Sequence, residues 1–105
     1  MRIYHPNPKH ELSGRPGRKG TKLDLSVMEA SVLLNDPVHC LEVPEKRQLV
    51  AVKNGKIYVF QDDEVGGYHA YPATGNEVCA KYPAVARRIA ELLGTDVKRL
   101  SRMQE

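Results

Sequence analysis

"QLVAVKNGKIYVFQ", residues 48–61, decides the fold. Asn54-Gly55 stands between two apolar, β-rich runs. A type I′ turn needs φ > 0 at both central positions, which Asn and Gly tolerate best, so the pair predicts a tight hairpin. A two-residue turn also sets the register: Lys53 opposes Lys56, Val52 opposes Ile57, Ala51 opposes Tyr58 and Val50 opposes Val59. One face then carries Val50, Val52, Ile57 and Val59, and the other Leu49, Ala51, Tyr58 and Phe60. Both faces are apolar, which predicts a mid-sheet hairpin covered on each side.

Upstream, "LDLSVMEASVLLNDP" carries a capping box, Ser26 followed three residues later by Glu29. Val27, Ala30 and Leu34 fall on one helical face with Leu33 beside them, and Pro37 stops the run. The expectation is a helix over 26–35. "VHCLEVPEKR" reads as a short strand at 38–43 broken by Pro44. Downstream, "DDEVGG" is a turn of solvated acids, and "YHAYP" is a third strand that Pro72 ends or confines to an edge. Its alternation puts Tyr68 and Ala70 on one face and His69 and Tyr71 on the other. "ATGNEVCAK" reads as loop. "YPAVARRIAELLGTD" reads as a helix with Pro83 at N1, a stripe of Val85, Ile89, Leu92 and Leu93, an Arg87–Glu91 pair and Gly94 at C′. Thr95 is expected to cap a last short helix. The layout is an α+β domain: a small antiparallel β-meander of three or four strands packed with two or three helices.

The 105 residues suffice for one domain. No stretch is long and apolar enough to span a membrane. The first residues lack the apolar segment of a secretory signal, so export is expected to need a carrier. Cys40 and Cys79 belong to no C-x-x-C; one bridge is possible, and two free thiols in a reducing compartment is the expectation. No His/Cys cluster has zinc spacing, and no cofactor is expected.

The net charge of +3 is unevenly placed. Residues 1–22 hold six basic side chains against Glu11, whereas the remaining 83 residues hold ten basic and twelve acidic ones. This leader is rich in Pro and Gly and reads as a basic arm or loop preceding a domain at 23–105. It is either a solvated tail or a segment that meets a polyanion.

The best-placed chemical group is His69, in "VGGYHAYPATG". Gly66 and Gly67 before it allow a backbone or a ligand to come close. An imidazole exchanges protons near neutral pH. Metal-free RNA cleavage needs a base for the ribose 2′-hydroxyl, an acid for the leaving 5′-oxygen, and cations at the phosphate. His69 paired with His10, or with His5, supplies the first two. Arg15, Arg18, Lys19 and Lys22 supply the cations, and Tyr68 or Tyr71 positions a base. Opposed to this is the plainer reading of a strand histidine bonded to a loop. His39 is expected to be structural, within a strand. Convergence of Asp24, Asp62 and Asp63 with Lys56 on a metal is a minor alternative. A non-catalytic RNA- or protein-binding module with a basic arm is the main one. An ADP-ribosylating enzyme is a third reading, for which the residues offer no nicotinamide site.

"LDLSVMEASVLLND" followed by "KNGKIYVFQDDEVGGYHAYP" resembles small C-terminal toxin domains of bacterial polymorphic toxin systems, over residues 20–72. Those domains are delivered by contact-dependent, RHS-type or type VI carriers. The resemblance implies a toxin acting in the cytoplasm of a neighbouring cell on tRNA or rRNA. It also implies neutralisation by a cognate, acidic immunity protein. Many such domains are similar to the barnase/EndoU/colicin/RelE group of metal-independent ribonucleases. By position the resemblance places His69 in the aromatic-His segment and Arg15 to Lys22 in the basic loop. This chain departs from that group in having at least one helix after the sheet, where the group's helices tend to precede it.

Overall fold

A computed structural model of the chain describes residues 1–6 and 24–103. Its elements are α1 (Val27–Leu34), β1 (Cys40–Glu42), β2 (Gln48–Lys53), β3 (Lys56–Asp62), β4 (Tyr68–Ala73), α2 (Gly75–Lys81), α3 (Pro83–Leu92) and α4 (Val97–Leu100). The four strands form one antiparallel sheet in the order β1-β2-β3-β4. The α+β meander read from the sequence is the observed architecture.

The β2–β3 hairpin has the expected register, Lys53↔Lys56 through Gln48↔Gln61. Asn54 (φ 52°) and Gly55 (φ 75°) both adopt the left-handed region that the turn demands. The two apolar faces feed two separate cores. Leu49, Ala51, Tyr58 and Phe60 pack with Ala30, Leu33 and Leu34 of α1. Val50, Val52, Ile57 and Val59 pack with Val78 of α2, Val85 and Ile89 of α3, and Leu100 of α4. The sheet is thus the middle of three layers.

Several expectations are corrected. The stretch "ATGNEVCAK" is not loop: Thr74 caps α2, its hydroxyl accepting the Glu77 N–H at 3.1 Å. The T-x-x-E pattern was a legible capping signal that the loop reading passed over. Thr95 is not the cap of α4; Asp96 is, accepting the Arg99 N–H at 2.8 Å. The meander has four strands and the described residues four helices, more than the two or three expected. Strand β1 spans only 40–42, and His39 lies in the turn before it. Val27 is exposed rather than on the buried face of α1. Glu91 pairs with Arg88, at 3.5 Å, one residue from the partner expected. Both cysteines are free, Cys40 against the α1 core and Cys79 against the other.

The first residues belong to the domain. Tyr4 bridges Tyr68 in the parallel sense, with Tyr68 N–H donating to the Ile3 carbonyl (2.9 Å) and His5 N–H donating to the Tyr68 carbonyl (2.8 Å). The Tyr4 ring is buried edge-on to Phe60, centroids 6.3 Å apart. Arg2 exchanges two backbone hydrogen bonds with the Asn35 amide, at 2.7 and 2.9 Å, and its guanidinium donates to the Leu34 carbonyl at the end of α1. Because Tyr68 points its backbone groups at residues 3–5, the even positions of β4 face outward. The missing N–H of Pro72 therefore costs no ladder bond.

Thr74→Ala removes the α2 cap and is expected to cost about 1 kcal/mol. Phe60→Ala, which empties the centre of the α1-side core, is expected to cost about 3–5 kcal/mol. Urea unfolding of the two variants beside the parent protein checks both figures; equal midpoints for Thr74→Ala and parent contradict the first.

Candidate functional site

Of the acids expected to be solvated in the turn between β3 and β4, Glu64 is exposed and Asp63 is not. The Asp63 side chain is only 4% exposed. Its Oδ1 accepts the backbone N–H groups of Val65 (2.9 Å) and Gly67 (3.0 Å), and its Oδ2 faces Nδ1 of His5 at 2.5 Å. Burial opposes the charge on Asp63. The two backbone donors and the His5 ring outweigh it, holding the carboxyl down to about 2. The Gly67 backbone is approached closely, as its lack of a side chain suggested. The neighbour is the His5 imidazole: a Cβ built on Gly67 would lie 2.5 Å from its Cε1 and 2.6 Å from its Cγ.

His69 is half-buried, on the sheet face covered by α2–α4. Its Nδ1 lies 3.1 Å from the His5 carbonyl oxygen. A carbonyl only accepts, so Nδ1 carries the proton and the neutral ring has its lone pair on Nε2, on the side away from that carbonyl. His5 is held in the same sense by Asp63. Two of the histidines singled out in the sequence therefore meet at one end of β4, the main chain of one anchoring the ring of the other. His10, Arg15, Arg18, Lys19 and Lys22 lie outside the described residues.

The tyrosines divide by strand parity. Tyr68 packs against the α1-side core and lines a hollow of about 750 Å³ with Arg2, Lys46, Arg47, Asp62 and Glu42 among its walls. Tyr71 lies on the His69 face, packed against the other core, and its hydroxyl approaches those of Tyr82 and Gln48's amide at 3.5 Å each. Burial, then the neighbouring Tyr82 hydroxyl, push the Tyr71 phenol up, so its hydroxyl stays protonated. Sequence reasoning missed Gln48, Gln61, Arg2 and Arg47, and gave Asp63 a place only in the metal alternative. Gln48 and Gln61 had a legible signal: they interrupt an otherwise apolar face.

The other groups carry less chemistry. His39 is exposed and bonded to Asp36 at 2.8 Å. The Cys40 thiol is pushed up to about 11, chiefly by burial, which leaves no thiolate at neutral pH. Asp24 is engaged by Lys56 and by the Tyr58 hydroxyl at the hairpin end of β3. Asp62 closes the other end, about 20 Å away at the rise of a strand. The four groups of the metal alternative therefore do not converge. Among the described residues no three His, Cys, Asp or Glu side chains gather as a metal site. Comparison with protein-family models, with curated proteins and with solved structures found no match.

A carboxyl at an ordinary 3.8 in the unfolded chain and about 2 in the folded one stabilises the fold above pH 4. That contribution is lost as the pH falls from 4 towards 2. Asp63→Asn keeps the shape but cannot carry the charge. Its stability, followed by near-UV circular dichroism against pH, is expected to be lower than the parent's at pH 6, with the gap closing by pH 2. A gap that stays constant over that interval contradicts the assignment.

Proposed function

We propose that the chain is an RNA-cleaving toxin domain that works by metal-independent acid–base chemistry, with His69 as base and His5 as acid. The single observation that supports this reading most is the hydrogen bond from His69 Nδ1 to the His5 carbonyl. It brings two imidazoles to one strand end, each with Nδ1 occupied and Nε2 directed away from its anchor. Sequence reasoning ranked His10 before His5 as the partner; His5 is proposed on the strength of its contact with His69.

The partners of the two rings differ in charge. Asp63 sets a full negative charge beside His5, whereas His69 faces a neutral carbonyl. In the proposed division of labour His69 is the base and His5 the acid. Nε2 of His69 takes the proton of a ribose 2′-hydroxyl. The 2′-oxygen bonds to phosphorus, the bond from phosphorus to the 5′-oxygen breaks, and the departing oxygen takes a proton from Nε2 of His5. The products are a 2′,3′-cyclic phosphate and a free 5′-hydroxyl, with no net change in protons. Arg15, Arg18, Lys19 and Lys22 are the proposed phosphate ligands, and Tyr68, beside Arg2 and Arg47, a platform for a base. As a toxin domain the chain would take tRNA or rRNA as substrate and an acidic immunity protein as partner.

Purified protein incubated with total RNA and excess chelator is expected to release fragments ending in 2′,3′-cyclic phosphate. His69→Ala and His5→Ala are each expected to lower the rate about 100-fold or more. Uncut RNA with folded parent protein overturns the proposal. RNA bound but uncut, with affinity falling steeply as salt rises, identifies a binding module instead.

A further inference from the structure

We infer that Gln48, Gln61 and His69 form a nucleobase-binding row across the sheet, in which the two amides read the edge of the base beside the reacting phosphate. The inference rests on the ribonuclease reading for its ligand, though its geometry stands apart from it.

The register sets the row. Gln48 pairs with Gln61 across β2 and β3, and Gln61 pairs with His69 across β3 and β4. The three side chains therefore stand side by side on one face, at the strand spacing of about 5 Å. The rest of that face along β2 and β3 is apolar: Val50, Val52, Ile57 and Val59. The row is half-buried at the margin of that core. Packing alone would be served there by aliphatic residues, so three adjacent polar side chains call for a reason.

Their hydrogen bonds give the row an orientation. Gln61 Nε2 donates to the Asp62 carbonyl at 3.3 Å, which fixes which end of its amide is which. Gln61 Oε1 therefore faces Gln48 and accepts from its Nε2 at 2.6 Å. The second Gln48 N–H reaches towards the Tyr71 hydroxyl at 3.5 Å. Three groups have no partner among the described residues: Gln48 Oε1, the second N–H of Gln61, and Nε2 of His69. In order they offer an acceptor, a donor and an acceptor. A planar heterocycle bearing both donors and acceptors on its edge is the complement of such an array, as in the reading of unstacked RNA bases. Nucleobases are the common ligand of that description that arrives attached to a phosphodiester.

The array predicts selectivity. Leu in place of either glutamine keeps the volume and removes the hydrogen bonds. Two measurements test the idea on the full chain. The first is the relative rate of cleavage of four homopolymeric RNAs by the parent, Gln48→Leu and Gln61→Leu. The second is the shift of the glutamine side-chain amide signals in NMR spectra when each nucleoside 3′-monophosphate is added. The row predicts that the parent prefers some bases, and that each variant reduces that preference about tenfold. It also predicts that Gln48 and Gln61 signals move on titration. Unchanged preference in both folded variants overturns the inference while leaving the ribonuclease reading intact. A parent that cuts no RNA but whose Gln48 and Gln61 signals move sustains the base site and removes the nuclease. No cleavage and no movement overturns both.

Discussion

Everything in this molecule follows from a sheet that is greasy on both sides. The β2–β3 hairpin carries Val50, Val52, Ile57 and Val59 on one face and Leu49, Ala51, Tyr58 and Phe60 on the other, all buried. Neither face can be left in water. Each buried Val, Leu, Ile or Phe side chain gains roughly 1.5–3 kcal/mol by leaving solvent. Helix α1 covers one face, and α2, α3 and α4 cover the other. The polar chemistry is thereby expelled from the sheet interior to the strand ends and to the outer edge of β4.

That edge is where the N-terminal residues return. An open strand edge presents unpaired N–H and C=O groups. Here Ile3 and His5 satisfy those of Tyr68, while Tyr4 plugs the α1-side core beneath them. Asp63 completes the attachment from the side, and Gly67 makes room for it. Structural anchoring and the meeting of the two imidazoles are the same set of contacts. The ring of His69 would have no fixed tautomer without the His5 main chain, and the ring of His5 would have no fixed orientation without Asp63.

Much of the fold was legible. The turn chemistry of Asn54-Gly55 set the register to the residue, and the capping box at Ser26 set the start of α1. Alternation placed Tyr68 and His69 on opposite faces. What escaped has physical causes. Helix α2 is only seven residues long and contains Gly75, a weak helix former, which masked the cap at Thr74. Gly75 is there because Leu100 of α4 packs where its side chain would be, a contact 25 residues away that no local pattern announces. The site was half legible. The Gly-Gly-Tyr-His stretch marked the right strand, but the fate of Asp63 depended on a histidine 58 positions earlier in the chain. Consecutive acids in a turn look alike in sequence; the two backbone N–H groups and the His5 ring gathered around Asp63 distinguish it from Glu64, which stays exposed.

The two anchoring acceptors also explain why the site lies at an edge and not in a deep pocket. Here the carbonyl that holds the imidazole belongs to a segment running alongside its strand, and an edge strand has room for one. β4 is that strand, and its neighbour on the inner side, β3, presents Gln61 next to His69. The amide row therefore lies on one side of the His69 ring, and the Asp63-held ring of His5 lies at the strand end. Under the proposed reading, the amide row and the two imidazoles are displaced from one another as the base and the phosphate of an extended strand of nucleic acid are.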